Sequence, residues 1–139
     1  MMNRNNNRVI LFHKHPSSAR VRFLFFTDRN SVLAFDSLPD LASVMDSSSD
    51  IGENQIESSI LSDYFGEVAE SIIFDDEFYT EVDVPNETIG VLLARFGETD
   101  PPFEFAEKIN AEFRELTATR SVAPVELVLL QKAYTQIMG

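Results

Sequence analysis

The chain has 139 residues, twelve of them Phe and none Cys or Trp, with a formal net charge of −12 at pH 7. That length predicts one domain with a proper hydrophobic core, and the missing thiol excludes disulfides, iron–sulfur clusters, thiolate metal sites and cysteine nucleophiles. The charge is segregated: fifteen carboxylates and no Lys or Arg stand between Asn30 and Ala94, a lobe that attracts a basic partner and repels nucleic acid and anionic lipid.

Residues 1–20 contain Arg4, Arg8, Lys14 and Arg20, no acid, and the run Asn3-Arg4-Asn5-Asn6-Asn7. They read as a disordered basic tail, with residues 21–139 as the single domain. The alternatives are an organelle transit segment, basic and acid-poor but interrupted by Pro16, and an arrangement in which Val9-Ile10-Leu11-Phe12 pairs as an edge strand and the tail lies against the acidic lobe. His13 and His15 would point the same way on a strand, with Lys14 between them. Without a third ligand or an orienting carboxylate they are assigned neither a metal nor a base role.

Val21–Thr27 is aromatic and β-branched, Asp28-Arg29-Asn30 is turn chemistry, and Ser31–Asp36 resumes the apolar pattern, which predicts a β-hairpin. Ser37-Leu38-Pro39-Asp40 has cap spacing and opens a helix expected from Leu38 to Asp46. A Ser-rich loop follows, then a second helix over roughly 55–70, on the three- and four-residue spacing of Ile56, Ile60, Leu61, Tyr64, Phe65 and Val68. Phe78, Thr80, Val82 and Val84 alternate with Tyr79, Glu81 and Asp83, predicting a strand with one packed and one wet face. Ile89–Phe96, apolar on both faces, completes a second hairpin across Pro85-Asn86-Glu87. A helix is expected to start at Asp100-Pro101 and to carry Phe103, Ala106, Ile109, Asn110, Phe113 and Leu116 on one stripe. Ser121-Val122-Ala123-Pro124 breaks it and opens a last helix to Met138, apolar on more than one face and therefore central or shared with a second copy through Val125 to Met138.

The expected fold is α+β: two β-hairpins in a small antiparallel sheet, a helical connection between them, and a C-terminal helical hairpin packed on one face. No apolar run approaches the ~20 residues that cross a bilayer, so no membrane association is expected. A cysteine-free chain fits a cytoplasmic location.

The candidate sites are carboxylate sites. Asp46, Ser48, Asp50, Asn54 and Glu57 place oxygens at calcium-loop spacing, with Asp46, Asp50 and Glu57 as the anionic ligands. The sharp-turn position is Ile51, however, and Gly52 comes one residue late, so no metal is expected. Asp75, Asp76 and Glu77, with Tyr79, Glu81 and Asp83 on the following strand, form the densest group and are the expected contact for Arg and Lys of a basic partner. Phe78, Tyr79, Phe103 and Phe105 are aromatic neighbours of acids, a combination suited to an Arg-bearing peptide. No nucleophile elbow, P-loop or dinucleotide fingerprint is present, so no cofactor is expected. The function expected is that of a non-catalytic interaction module: an adaptor, regulator or dedicated chaperone recognising a basic protein. The alternatives are a nucleic-acid-mimicking inhibitor that does not itself bind nucleic acid, and a small carboxylate- or divalent-metal-dependent enzyme.

Overall fold

The computed structural model describes residues 7–34, 43–44, 62–63, 65–85 and 87–138. Strands β1 (Arg8–Lys14), β2 (Val21–Phe26), β3 (Leu33–Ala34), β4 (Ser43–Val44), β5 (Ile72–Val84), β6 (Glu87–Phe96) and β7 (Ala111–Arg114) share one sheet, in the order β4-β5-β6-β1-β2-β7 with β3 also paired to β1. All pairings are antiparallel except β1 with β6, which runs parallel from Arg8↔Val91 to Phe12↔Arg95. The class is α+β as expected, but the sheet is larger than two hairpins and mixed in direction.

The departure with most consequence is β1. Residues 8–14, read from sequence as part of a tail or as an edge strand, lie inside the sheet, and Val9 through His13 are all buried. A strand apolar on both faces is stable only where both are covered, and here Ile10 and Phe12 lie in one core and Val9 and Leu11 in the other, while parallel β6 pairs one edge. On its other edge β1 pairs with β3 at Val9 and Ile10 and with β2 from Phe12 to Lys14.

The second correction concerns the stretch read as one helix after Asp100. Helix α1 (Phe103–Lys108) stops there, Asn110 takes a left-handed φ of 58°, and β7 pairs with β2 from Phe26↔Ala111 to Phe23↔Arg114. The apolar positions 109, 111 and 113 fit alternation as well as helical spacing. The outer edge of β2 decides between them, because its buried backbone groups need partners. In place of a helical hairpin on one face, α1 and the last helix α2 (Pro124–Met138) cover opposite faces of the sheet.

Ser43–Val44, expected to be helical, pairs with Asp83 and Val82 of β5. The rest of the helix expected over 38–46, and half of that over 55–70, fall outside the described residues. A 3-10 helix, Gly66–Ser71, leads into β5.

Two cores result. Leu129, Leu130 and Ala133 of α2 pack on Ile10, Phe12, Phe23, Phe25, Val91 and Leu93. On the other face Val9, Leu11, Leu24, Phe26, Leu92, Ala94 and Phe96 meet Phe65 and Ala106. Full burial of each large side chain contributes about 1.5–3 kcal/mol.

Candidate partner-binding site

The acids singled out in the sequence fall into two groups. The ladder between β5 and β6 breaks between Phe74↔Ala94 and Tyr79↔Leu92, so that residues 75–78 stand opposite Leu93 alone. Asp75-Asp76-Glu77 is thus an enlarged bulge, a device that ejects side chains from a sheet. Within it Asp75 is committed to structure: one carboxylate oxygen accepts the Glu77 amide at 2.9 Å and the other accepts Gln136 Nε2 of α2 at 3.3 Å. Asp76 and Glu77 are exposed.

The bulge also changes the phase of the strand. Ile72, Phe74 and Tyr79 belong to one core and Phe78, Val82 and Val84 to the other, so the face expected to be wet is covered at Tyr79. The Tyr79 hydroxyl donates to Glu81 Oε2 at 3.4 Å. Burial, then the Glu81 charge and this bond, push the phenol up to about 12. Gly90 makes the room: a Cβ there would lie 2.6 Å from the ring and hydroxyl of Tyr79. Glu81 and Asp83 follow Tyr79 on the same face of β5, half-buried and exposed respectively. The six predicted contact residues therefore comprise a bulge of which Asp76 and Glu77 remain presented, and a separate Tyr79–Glu81–Asp83 row.

A second arrangement meets the chemical description better. The sequence Pro101-Pro102-Phe103-Glu104-Phe105 starts α1 over the sheet, opposite the 3-10 helix that follows Phe65. Between them runs a cleft of about 980 Å³, lined by Phe65, Val68, Phe103, Phe105 and Ile109 and by the acids Glu67, Glu98 and Glu104, with Lys108 as its one lining cation among the described residues. Its walls are held by a relay of aromatic contacts: Phe65–Phe105 at 5.7 Å, Phe105–Phe96 at 6.3 Å, Phe96–Phe113 at 5.6 Å and Phe113–Phe103 at 5.7 Å between centroids. Tilted and edge-to-face pairs of this kind each add roughly 0.5–1.5 kcal/mol beyond their buried area.

The relay ends at the surface. Phe103 is 52% exposed, an unusual position for a ring packed on another Phe. The Arg22 guanidinium already lies 6.0 Å from its centroid, so the ring has a cation partner from its own chain. Glu98 is anchored on both sides, its backbone oxygen accepting His13 Nε2 at 2.8 Å and its carboxylate accepting Ser71 Oγ at 3.3 Å.

Sequence reasoning found Phe103 and Phe105 but not Glu67, Glu98 and Glu104, which join them only through the fold. The calcium-loop candidates Asp46, Asp50 and Glu57 lie outside the described residues, and among those described no group of three or more His, Asp or Glu is placed to hold a metal ion. Among the described residues no helix is long and apolar enough to cross a membrane. Comparison with protein-family models and with curated proteins finds no match.

Proposed function

We propose that this protein is a non-catalytic interaction module that recognises a basic, arginine-bearing segment of a partner protein through the cleft between the Gly66–Ser71 turn and α1. The observation that carries this reading is Phe103, half-exposed at the mouth of an aromatic cleft with Glu67, Glu98 and Glu104 along it. An arginine side chain is amphipathic: its stem packs on apolar walls, its plane stacks on a ring, and its fork pairs with carboxylates. The fifteen carboxylates between Asn30 and Ala94 add a long-range field that accelerates encounter with such a segment. Asp76, Glu77, Glu81 and Asp83 belong to that stretch and add to its field.

The test is titration of isotope-labelled protein with a tetra-arginine peptide, followed by backbone amide shifts, with tetraglutamate as control. Saturable shifts centred on residues 98–109 are expected, weakening steeply with salt. Glu67→Lys with Glu104→Lys should weaken binding roughly tenfold or more, and Phe103→Ala roughly three- to tenfold, the range of an exposed to partly desolvated cation–π contact. Asp76→Lys with Glu81→Lys should have the smaller effect, confined to the salt-dependent part. Absence of saturable shifts, or equal binding by all these variants, would overturn the assignment.

A further inference from the structure

We infer that the loop end of the β1–β2 hairpin is a binding pocket for the phosphoryl group of a small molecule, distinct from the acidic cleft. The sequence here is His13-Lys14-His15-Pro16-Ser17-Ser18-Ala19-Arg20-Val21-Arg22. His13 pairs directly with Arg22, and the His15 amide donates to the Arg20 carbonyl at 2.9 Å, so His15 and Arg20 are the next opposed pair. Opposed residues share a face, as do residues two apart on a strand, so all four side chains leave the hairpin on one side. Ala19, at φ 59°, turns the loop back and brings Ser18 to the same place. These five residues line a cavity of about 350 Å³, and no carboxylate lines it among the described residues.

Both imidazoles are fixed by the main chain. His13 is 1% exposed and donates Nε2–H to the Glu98 carbonyl at 2.8 Å. His15 accepts the Ser17 and Ser18 amides on Nδ1 at 3.1 and 3.3 Å, which leaves its Nε2 as a donor. The rings stand 6.4 Å apart. Arg22 is steadied by Phe103, and Arg20 has an exposed carboxylate, Glu115, at 4.0 Å. Arg20 and Arg22, two apart on one face of the hairpin, bring two like charges to one cavity, and their mutual repulsion opposes folding. A bound anion relieves that repulsion.

The donors suit a tetrahedral dianion better than a planar carboxylate. Two arginine forks, a serine hydroxyl and an imidazole N–H offer more donors than two oxygens can use, and three phosphoryl oxygens can take them all. The volume is at the lower end of the range for small-molecule sites, so it holds a phosphate with a small organic substituent.

The experiment is calorimetric titration of the full chain with inorganic phosphate and, separately, with glycerol phosphate, against chloride at matched ionic strength. Saturable binding of at least one phosphoryl compound but not of chloride is expected. Tighter binding of the ester identifies a phosphomonoester site, and equal or tighter binding of phosphate identifies a site for the free ion. Arg20→Gln with Arg22→Gln should weaken binding by roughly a hundredfold, about tenfold for each charge-assisted partner lost. Glu67→Lys with Glu104→Lys, in the cleft, should leave phosphoryl binding intact, which separates this site from the peptide site. No saturable heat with either compound, or unchanged affinity in a folded Arg20→Gln, Arg22→Gln protein, would overturn the proposal.

Discussion

Glu126 is a carboxylate in the first turn of α2 and only 3% exposed. Both its oxygens accept the Ser31 hydroxyl at 3.0 Å, and Oε1 also accepts the Val32 amide at 2.9 Å, so it ties the turn before β3 to the start of α2. Burial pushes its proton affinity above the ordinary glutamate value, while these donors and the Arg29 charge pull it back. A carboxyl that holds its proton more tightly when folded adds stability that is complete below the unfolded value and lost as pH rises through the folded one. Glu126→Gln keeps an acceptor for Val32 and removes the titration, so its melting temperature should vary less with pH across that window and be no lower than wild type at pH 7. Glu126→Ala leaves the buried Val32 amide without its acceptor and should cost about 2 kcal/mol, or roughly 6–10 °C in Tm. Thermal melts of the three proteins from pH 4 to 8 check this. Equal losses in the Gln and Ala variants would assign the effect to charge and not to the missing acceptor.

At the scale of elements, the bulge in β5 makes a sharper prediction than any single residue. Phe74 faces Ala94, Phe78 and Leu93 belong to the same core, and Tyr79 faces Leu92. Removing Asp75-Asp76-Glu77 therefore joins two stretches of strand already in register, at the loss of the Asp75 bonds to Glu77 and Gln136. The deletion should fold, with a drop of only about 1–2 kcal/mol, the sum of two exposed or half-exposed polar contacts. Its dispersed amide spectrum and denaturant midpoint would show this, and an unfolded product would mean the bulge is required for pairing. The same region explains what could be read in advance. The β5–β6 hairpin was visible because its partners are adjacent in sequence and its turn carries Pro85, and α2 because Pro124 marks its start. The strand β1 was hidden by Arg8, His13 and Lys14, polar residues that read as tail until the partners for its backbone are known. Its parallel pairing with β6, some eighty residues away, leaves no local trace. The acidic cleft was half visible, through Phe103 and Phe105, and the hairpin pocket was not, because His13 and Arg22 become neighbours only once the register is set.

For the whole molecule, the question is whether the basic N-terminal segment serves the acidic lobe by charge or by structure. If by charge, removing residues 1–20 would lower stability mainly at low salt, where a net charge of −12 repels itself least screened. The topology argues for structure. β1 is the strand that joins β6 on one edge to β2 and β3 on the other, so without it the path β4-β5-β6 separates from β2-β7. Both cores lose their middle as well, since Ile10 and Phe12 belong to one and Val9 and Leu11 to the other. Four buried apolar side chains at about 1.5–3 kcal/mol each amount to much or all of the roughly 5–15 kcal/mol that holds an ordinary domain together. The chain lacking residues 1–20 should therefore show no cooperative melt at either 20 mM or 500 mM salt, whereas removal of residues 1–6, which takes away one charge at Arg4, should leave the melt nearly unchanged. A cooperative melt for the longer truncation, depressed at low salt and restored at high salt, would show that the segment acts by charge and that the sheet closes without β1.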